Sequence, residues 1–474
     1  MERKPNVLFI LADQLRACSL PNYGFKDIPM PHFEKLGKDS ITFTNAISTY
    51  PLCTPYRAML MTGRHPQTNG LFVNYTSSRH DEIGLGDAFR QAGYATGYVG
   101  KWHLHRGAFP SKDQCWIPCG RSRLGFDYWR AYNCHTQYFN GHVNKHDWHT
   151  EPWKGYETEG LLYYMKEFID EHKDNPFFCI LSPHQPHHTP GQHAPDQYYE
   201  RLPQHITFPA NVDNSFQEML QKDYRDYMAM ILALDDMLGN ILQYLEEKKL
   251  IDNTIVVFTS DHGTQMGAHV KADTNGTAAW AKRRPYEESI KVPFFIHLPG
   301  GYGANTSNNT LITPVDIFPT LCALTGIPVP RSIEGYDLSN AILGKEDAFE
   351  QDAVYLMNFL NYDCSPDWLP ETGNEWRGVR TCKYTYVKYH DGRTELYDLE
   401  KDPLQCNNCA GQEGFRKITD ELDVLLQKFM KQHHDGIYPS TYYRDWIDNE
   451  RRIVRNAYGP LSFPETMPDW SLLR

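Results

Sequence analysis

The sequence predicts an α/β fold: a large doubly wound sheet, parallel or mixed, covered by helices on both faces, followed by a smaller C-terminal α+β unit carrying an antiparallel sheet. Three observations point there. Four short apolar runs, Val7 to Leu11, Thr96 to Val99, Phe177 to Leu181 and Ile255 to Thr259, contain no charged residue, and each ends abruptly in a polar cluster. Runs of this kind fit strands buried on both sides, as in a parallel sheet between helical layers. Segments with helical periodicity alternate with them, as a doubly wound fold requires. After about residue 350 the texture changes to strand alternation around short turns. The expected division is a large α/β unit over residues 1–350 and a C-terminal α+β subdomain with a closing tail over 351–474.

Taken in order, Met1 to Pro5 lead into the first run, which is too short for a signal-peptide core and meets Asp13 at once. It reads as a strand. The chain as given is expected to be cytoplasmic, with a periplasmic or secreted setting open if a leader has been removed. The next signal is Cys53-Thr54-Pro55-Tyr56-Arg57. Thr54 reads as a helix N-cap and Pro55 as the first helical residue, since a hydroxyl can accept an orphan amide hydrogen and proline needs no amide partner there. Ala58 to Met61 continue the helix and Gly63 can stop it. Cys53 is thereby placed at the positive end of a helix, where exposed amides seat an anion. For that window alone, a small buried hydrophobe is the simpler reading.

A short helix is expected from Gly84 to Gly93. Within Phe216 to Lys249, the residues Met228, Ile231, Leu232, Leu238, Ile241, Leu242 and Leu245 fall on one face of a long crossover helix, closed by the solvated charge run Glu246 to Lys249. Pro314 to Thr325 forms another helix that ends at Gly326. Arg377 to Asp398 alternates on both sides of a hairpin-like turn at His390 to Arg393, and Phe415 to Lys431 is amphipathic. The aromatic segment from Tyr438 onward is expected to wrap back over the larger unit.

Composition narrows the function classes. A formal net charge of -12 with no long lysine or arginine block argues against nucleic-acid binding, and no stretch approaches membrane-spanning length. The chain holds 11 cysteines, too few and too scattered for a disulfide framework. The two close pairs, Cys115/Cys119 and Cys406/Cys409, lie far apart and have no histidine at finger spacing, so a structural zinc is not expected.

The polar clusters carry the chemistry. A parallel sheet places its ligands beyond the carboxyl ends of the strands, so four clusters imply one site. Asp13, Gln14, Asp261 and His262 supply two carboxylates, an amide oxygen and an imidazole, a set suited to a divalent cation that prefers oxygen. Arg57, Lys101, His103, His187 and Lys282 add positive charge and proton-transfer capacity. A metal and cationic donors around a helix start describe a site for a tetrahedral oxyanion ester.

These residues resemble those of the type I sulfatases of the alkaline phosphatase superfamily, across nearly the whole chain. Cys53-Thr54-Pro55-Tyr56-Arg57 fits the Cys-x-Pro-x-Arg signature whose cysteine is oxidised to formylglycine. "GYATGYVGKWHLH", from Gly93 to His105, resembles the second signature; "TSDHGTQMGAH" and "KRRPYEESIKVP" resemble the metal and substrate-lysine segments, and "LYDLEKDPLQCNN" the C-terminal turn. The resemblance implies an alkaline phosphatase-like fold and hydrolysis of sulfuric esters. It implies that Cys53, as the formylglycine hydrate, attacks sulfur; that Asp13, Gln14, Asp261, His262 and residue 53 itself bind calcium, with manganese the alternative; and that Arg57, Lys101 and Lys282 hold the hydrate and the sulfuryl oxygens. His187 would protonate the leaving alcohol, with His184 and His188 competing for that place, and His103 would take a proton from the second hydroxyl to expel sulfate. A formylglycine-generating or anaerobic sulfatase-maturating enzyme is the implied partner. Gln14 and His262 depart from the commoner aspartate and asparagine, which keeps a phosphonate monoester or phosphodiester hydrolase of the same superfamily as the runner-up. An inactive homologue that binds sulfated glycans would lack one of these groups, and none is missing.

The leaving alcohol is less legible. His184, His105, Arg106, His135 and His269 are candidate substrate contacts, joined by Arg121, Arg123, Tyr132 and Trp148, a supply of rings and cations that suits a sulfated sugar better than an aryl or choline sulfate. His142, His146 and His149 belong to an aromatic insertion read as a surface loop that shapes the pocket.

Overall fold

The computed structural model describes residues 4–106, 116–145, 147, 149–188, 191–269, 281–360 and 374–473. One sheet is built from β1 Asn6–Ala12, β2 Ile41–Phe43, β3 Ala95–Lys101, β4 Tyr128–Tyr132, β5 His142–Asn144, β6 Thr150–Pro152, β7 Phe177–Ser182, β8 Thr254–Ser260, β9 Phe294–His297 and β10 Thr306–Asn308. Its spatial order is β10-β2-β9-β8-β1-β7-β3-β4-β5-β6. The four apolar runs are β1, β3, β7 and β8, and they stand together at the centre, mutually parallel. Antiparallel pairing enters further out, where β9 joins β8 and β5 joins β4, so the sheet is mixed.

The residues of β1 alternate between two cores, as the pleat dictates. Leu8, Ile10 and Ala12 pack with α1 Pro31–Lys38, α4 Glu157–His172 and α5 Asn214–Glu247. Val7, Phe9 and Leu11 pack on the other face with α2 Cys53–Thr62, α3 Leu85–Gln91 and α6 Pro314–Leu324. Every β1 residue is buried, which is why the run reads as continuously apolar. The 34-residue α5 has the length and hydropathy of a membrane span, but 72% of its apolar window is buried inside the protein: it is the central core helix.

Two expectations change on contact with the structure. α2 begins at Cys53 with Leu52 as its N-cap, not at Pro55 with Thr54. The Thr54 hydroxyl is recruited elsewhere, donating to the His103 carbonyl at 2.8 Å, while its amide donates to Asn74 Oδ1 at 3.0 Å. Gly63 ends the helix in the left-handed region (φ 61°) as expected. The stretch read as one hairpin holds three strands, β12 Trp376–Thr381, β13 Tyr384–Tyr389 and β14 Thr394–Asp398, which follow β11 Ala353–Asn358 in an antiparallel sheet. A second turn forms because the Thr381 hydroxyl accepts the Tyr384 amide at 2.8 Å. α7 Arg416–Gln432 lays Leu422, Leu426 and Met430 on Tyr355, Val379 and Leu396 of that sheet.

The closing segment lies against the N-terminal half of the chain: the Ala457 amide donates to the Gln67 carbonyl at 2.9 Å and Asn456 Nδ2 to the Thr68 carbonyl at 2.7 Å. Gln67 also donates to Asp435 at 2.5 Å, and Asp435 takes Tyr355 at 2.8 Å and two guanidinium bonds from Arg377 at 2.7 and 3.0 Å. Burial opposes ionisation of Asp435, but Arg377 outweighs it and holds the carboxyl below its ordinary range. Asp435→Ala strands a buried guanidinium and is expected to cost about 3–5 kcal/mol in urea unfolding. Because the folded-state pKa is depressed, this contribution is present above the ordinary carboxylate pKa of about 4 and is lost as pH falls through the folded value. A loss below about 0.5 kcal/mol would show the pair to be dispensable.

Candidate active site

Strand register assembles the site. β1 and β8 end with Ala12 opposite Ser260, so the next residues, Asp13 and Asp261, leave the sheet side by side. On the other flank Gly100 lies opposite Ser182, which brings Lys101 and the turn at His184 to the same edge. Gln14 (φ 67°) and His103 (φ 57°) turn the chain there in the left-handed region, a cost that non-glycine residues carry mainly where a site demands it.

Cys53 is buried at the first turn of α2 with four polar groups around its sulfur. His262 Nε2 lies 3.3 Å from Sγ, Lys282 Nζ 3.6 Å, Lys101 Nζ 3.8 Å and Asp13 Oδ1 4.0 Å. The ring of His262 is oriented from behind. Its Nδ1 donates to the Gly263 carbonyl at 2.8 Å, which turns Nε2 towards Cys53.

Arg57, one turn further along the same helix face, is fully buried and spends its donors on the framework. Nη2 donates to Asp13 at 3.0 Å, Nε to Asp261 at 3.2 Å, and Nη1 to Ser182 Oγ at 2.8 Å and the Lys101 carbonyl at 2.9 Å. It acts through the two carboxylates, whereas Lys101 reaches both Asp13 (2.6 Å) and the thiol.

The charges are set by this packing. Burial opposes ionisation of Asp13, yet Lys101, with Arg57, holds it well below the usual carboxylate range. Burial and the Asp13 charge push Asp261 up. Burial and Asp13 also resist a thiolate at Cys53, and Lys101, Lys282 and His262 overcome them to lower its pKa. Burial, reinforced by Lys101, keeps His103 and His184 well below the ordinary histidine range; Lys282 does the same for His187. These three imidazoles are neutral at pH 7.

Comparisons with known proteins assign the family. The sulfatase family profile matches residues 5–327, and a profile described as N-sulphoglucosamine sulphohydrolase, C-terminal, matches residues 276–432. The chain belongs to the sulfatase family. It is 33% identical to an ulvan-active sulfatase of Formosa agariphila over 93% of this chain and 84% of that one. To the N-acetylglucosamine-6-O-sulfatase of Bacteroides thetaiotaomicron it is 25% identical, over 96% and 91% of the two chains. Among solved structures, a protein in complex with its substrate D-glucosamine-2-N,6-O-disulfate superposes with a TM-score of 0.77 at 23% identity, covering 92% of this chain and 99% of that one. The phosphonate monoester hydrolase of Agrobacterium radiobacter does so at 0.72 and 21%, covering 97% and 100%. These two show the shared alkaline phosphatase-like fold.

This sulfatase hydrolyses sulfuric esters, and the residues around Cys53 fit a divalent cation. The ligand atoms of Asp13, Cys53, Asp261 and His262 all lie within 4.8 Å of one another, and the electrostatic conflict between the two carboxylates is one that a cation resolves. Gln14 stands beside them: its backbone N–H donates to Asp261 Oδ1 at 3.1 Å, and its side-chain Oε1 accepts from Lys282 at 3.4 Å. His103 is buried with neither ring nitrogen hydrogen-bonded, an orphaned pair next to the first turn of α2. Such a group suits a reaction partner that the apo residues do not supply.

The other sequence candidates separate. His184 Nε2 meets Lys101 Nζ at 3.0 Å and His187 Nε2 meets Lys282 Nζ at 3.3 Å, so both are in the site. His188 turns away to Asp226 at 3.6 Å and leaves the contest. His269 is held by Glu288 at 3.2 Å and stacks on Tyr286, which makes it a support residue. His135 stacks under Tyr132 and is buried against the His142 carbonyl, so it packs rather than facing substrate. Arg121 is tied to Asp87 and Arg123 to two backbone carbonyls. His105 and Arg106 line a separate cavity, Arg106 paired there with Glu450 at 2.8 Å. His149 pairs with Asp147 on the surface; His146, Trp148 and Cys115 lie outside the described residues. The sequence reading missed Ser182 and Asn74, which hold Arg57 and the amide of Thr54. No motif marks a serine at a strand end or an asparagine in a loop.

Proposed function

We propose that this sulfatase removes O-sulfate from a sulfated carbohydrate, with Cys53 oxidised to formylglycine by a formylglycine-generating or anaerobic sulfatase-maturating enzyme. The observation that supports it is the convergence of Lys101, Lys282 and His262 on Cys53 Sγ at 3.3 to 3.8 Å, at the positive end of α2. Nothing about a buried packing cysteine calls for two ammonium groups. Asp13, Asp261 and His262, with Gln14 beside them, would hold calcium or, as the alternative, manganese. When bound, the cation polarises the nucleophilic oxygen and the sulfuryl group as a Lewis acid.

The chain's own groups do the rest. Lys101 and Lys282 offset charge on the sulfuryl oxygens. The neutral His103 is poised as a base for the hydroxyl at residue 53. His187 Nε2 accepts a hydrogen bond from the Lys282 ammonium, so the pair holds one proton that can be delivered to the leaving alcohol oxygen. A sugar as leaving group is supported by the relatives, one of which is named for N-acetylglucosamine 6-O-sulfate.

Intact-peptide mass across Cys53 tests the modification: an aldehyde in place of the thiol is expected, and an unmodified cysteine in fully active protein would refute it. A panel of sulfated monosaccharides, an aryl sulfate and an aryl phosphonate tests the reaction; turnover of the phosphonate alone would favour the runner-up. Removal of divalent metal with EDTA is expected to lower kcat/KM at least about 100-fold. Calcium or manganese should restore the rate and raise the Tm as well, since an ion that binds only the folded state stabilises it. Full activity and an unchanged Tm after chelation would remove the metal from the mechanism.

A further inference from the structure

Tyr138, in the connection between β4 and β5, reaches the backbone of the histidine turn. Its hydroxyl donates to the His187 carbonyl at 2.5 Å, and its ring lies 5.7 Å from that of His184 and 5.0 Å from that of His193. The side chain is buried. Burial, with Glu157 and Tyr156 nearby, pushes the phenol well above its ordinary range, so at neutral pH it remains a donor.

Tyr138 is itself fixed to the start of α4. The Glu157 amide donates to the Tyr138 carbonyl at 2.8 Å, the Asn140 amide to the Gly155 carbonyl at 2.9 Å, and Phe139 bridges Tyr156 in antiparallel register. The Glu157 carboxyl accepts the hydroxyl of Tyr132, the last residue of β4, which lies opposite Lys101 in the sheet. Both ends of the connection from Tyr132 to Tyr138 are therefore tied to one helix turn. A hydroxyl carried on such a support has a defined position.

His187 needs a hold of this kind. A working imidazole is usually oriented through its second ring nitrogen, as His262 is through the Gly263 carbonyl. His187 Nε2 faces Lys282 Nζ at 3.3 Å, but its Nδ1 is buried with no hydrogen-bond partner among the described residues. Orientation thus falls to the backbone. The His187 amide donates to the His184 carbonyl at 2.9 Å and the His187 carbonyl accepts Tyr138, so the peptide groups on both sides of the ring are held. His184 is engaged in turn by Lys101 at 3.0 Å, itself 3.8 Å from Cys53.

We propose that Tyr138 is a positioning residue for the leaving-group proton: through the His187 carbonyl, its hydroxyl keeps the His187 imidazole on Lys282, where the pair serves the alcohol oxygen. The proposal rests on the proton role of His187 given above and is independent of which alcohol leaves.

Tyr138→Phe keeps the ring and removes only the donor. Its kcat and KM are compared with those of wild type on 4-nitrophenyl sulfate, phenyl sulfate and N-acetylglucosamine 6-sulfate, because nitrophenolate departs with little help from an acid and the other two leaving groups need the proton. The variant is expected to lose about 10- to 100-fold in kcat on phenyl sulfate and the sugar sulfate, with KM nearly unchanged, and less than about 3-fold on 4-nitrophenyl sulfate. His187→Ala should show the same pattern more strongly. Adding Tyr138→Phe to His187→Ala should cost nothing further, since a positioning residue has no effect once its ring is gone. An equal loss on all three sulfates, no loss on any, or additive losses in the double variant overturns the proposal. His187→Ala without the leaving-group dependence overturns the proton role of His187 and the proposal with it. Rejection of the sugar sulfate alone overturns the carbohydrate reading, and the two aryl sulfates then decide the role of Tyr138.

Discussion

Cys53→Ser, purified with its metal, is expected to release about one equivalent of alcohol per site and then stop, with sulfate retained on the protein. A serine at 53 keeps one hydroxyl beside Lys101, Lys282 and His262, so sulfuryl transfer to it remains possible. The resulting serine sulfate ester has no second hydroxyl for His103 to deprotonate, so the route that expels sulfate from a hydrate is closed to it. Cys53→Ala removes the acceptor altogether and should lower kcat/KM by about 10⁴-fold or more, the scale on which loss of a nucleophile is felt. Burst kinetics with mass analysis of the trapped protein read the difference. Continuous turnover by Cys53→Ser would falsify the two-hydroxyl logic.

Arg57→Ala carries the second large effect, and it falls on stability as well as rate. The guanidinium is the shared partner of Asp13 and Asp261 in a site with no exposed surface on any of the three side chains. Its removal leaves two buried carboxylates facing each other and is expected to cost about 3–5 kcal/mol of folding stability in the metal-free protein. Arg57→Lys should recover little, because one ammonium cannot fork between two carboxylates and also reach Ser182 and the Lys101 carbonyl. Affinity for the divalent ion should fall about 10- to 100-fold, the usual penalty for losing the group that orients a ligand. Urea unfolding and calcium titration measure both quantities. Stability and metal affinity near wild type, with only the rate reduced, would instead place the guanidinium on the substrate.

Much of the architecture is legible in the chain because it is written in local physics. β1, β3, β7 and β8 are buried on both faces and therefore read as uninterrupted apolar runs, and α5 declares itself by a face repeated over 34 residues. The site is legible for a related reason: parallel strands share one carboxyl edge, so the residues at or just past their ends, Asp13, Lys101, His184 and Asp261, meet there. Local cues fail where a distant partner competes. Thr54 has every property of an N-cap, yet the His103 carbonyl claims its hydroxyl. Within the histidine turn, sequence spacing alone does not choose among His184, His187 and His188; Asp226 on α5 draws His188 away, while Lys101 and Lys282 meet the other two. His105 follows the catalytic signature by two residues and faces a different cavity, because Asn133 fixes its backbone and the closing segment walls the space beyond.

By itself the sequence determined most of the elements that form, and that a cysteine at a helix start belongs with a set of cations and candidate metal ligands. The tertiary structure decided which of those residues touch Cys53, that Arg57 works through two carboxylates, and that a tail more than 300 residues away in the chain walls the cavity that His105 lines. The division has a physical cause. Strand and helix patterns are set by burial and period along the chain, whereas the direction of a polar side chain is set by whichever buried partner reaches it first across the fold.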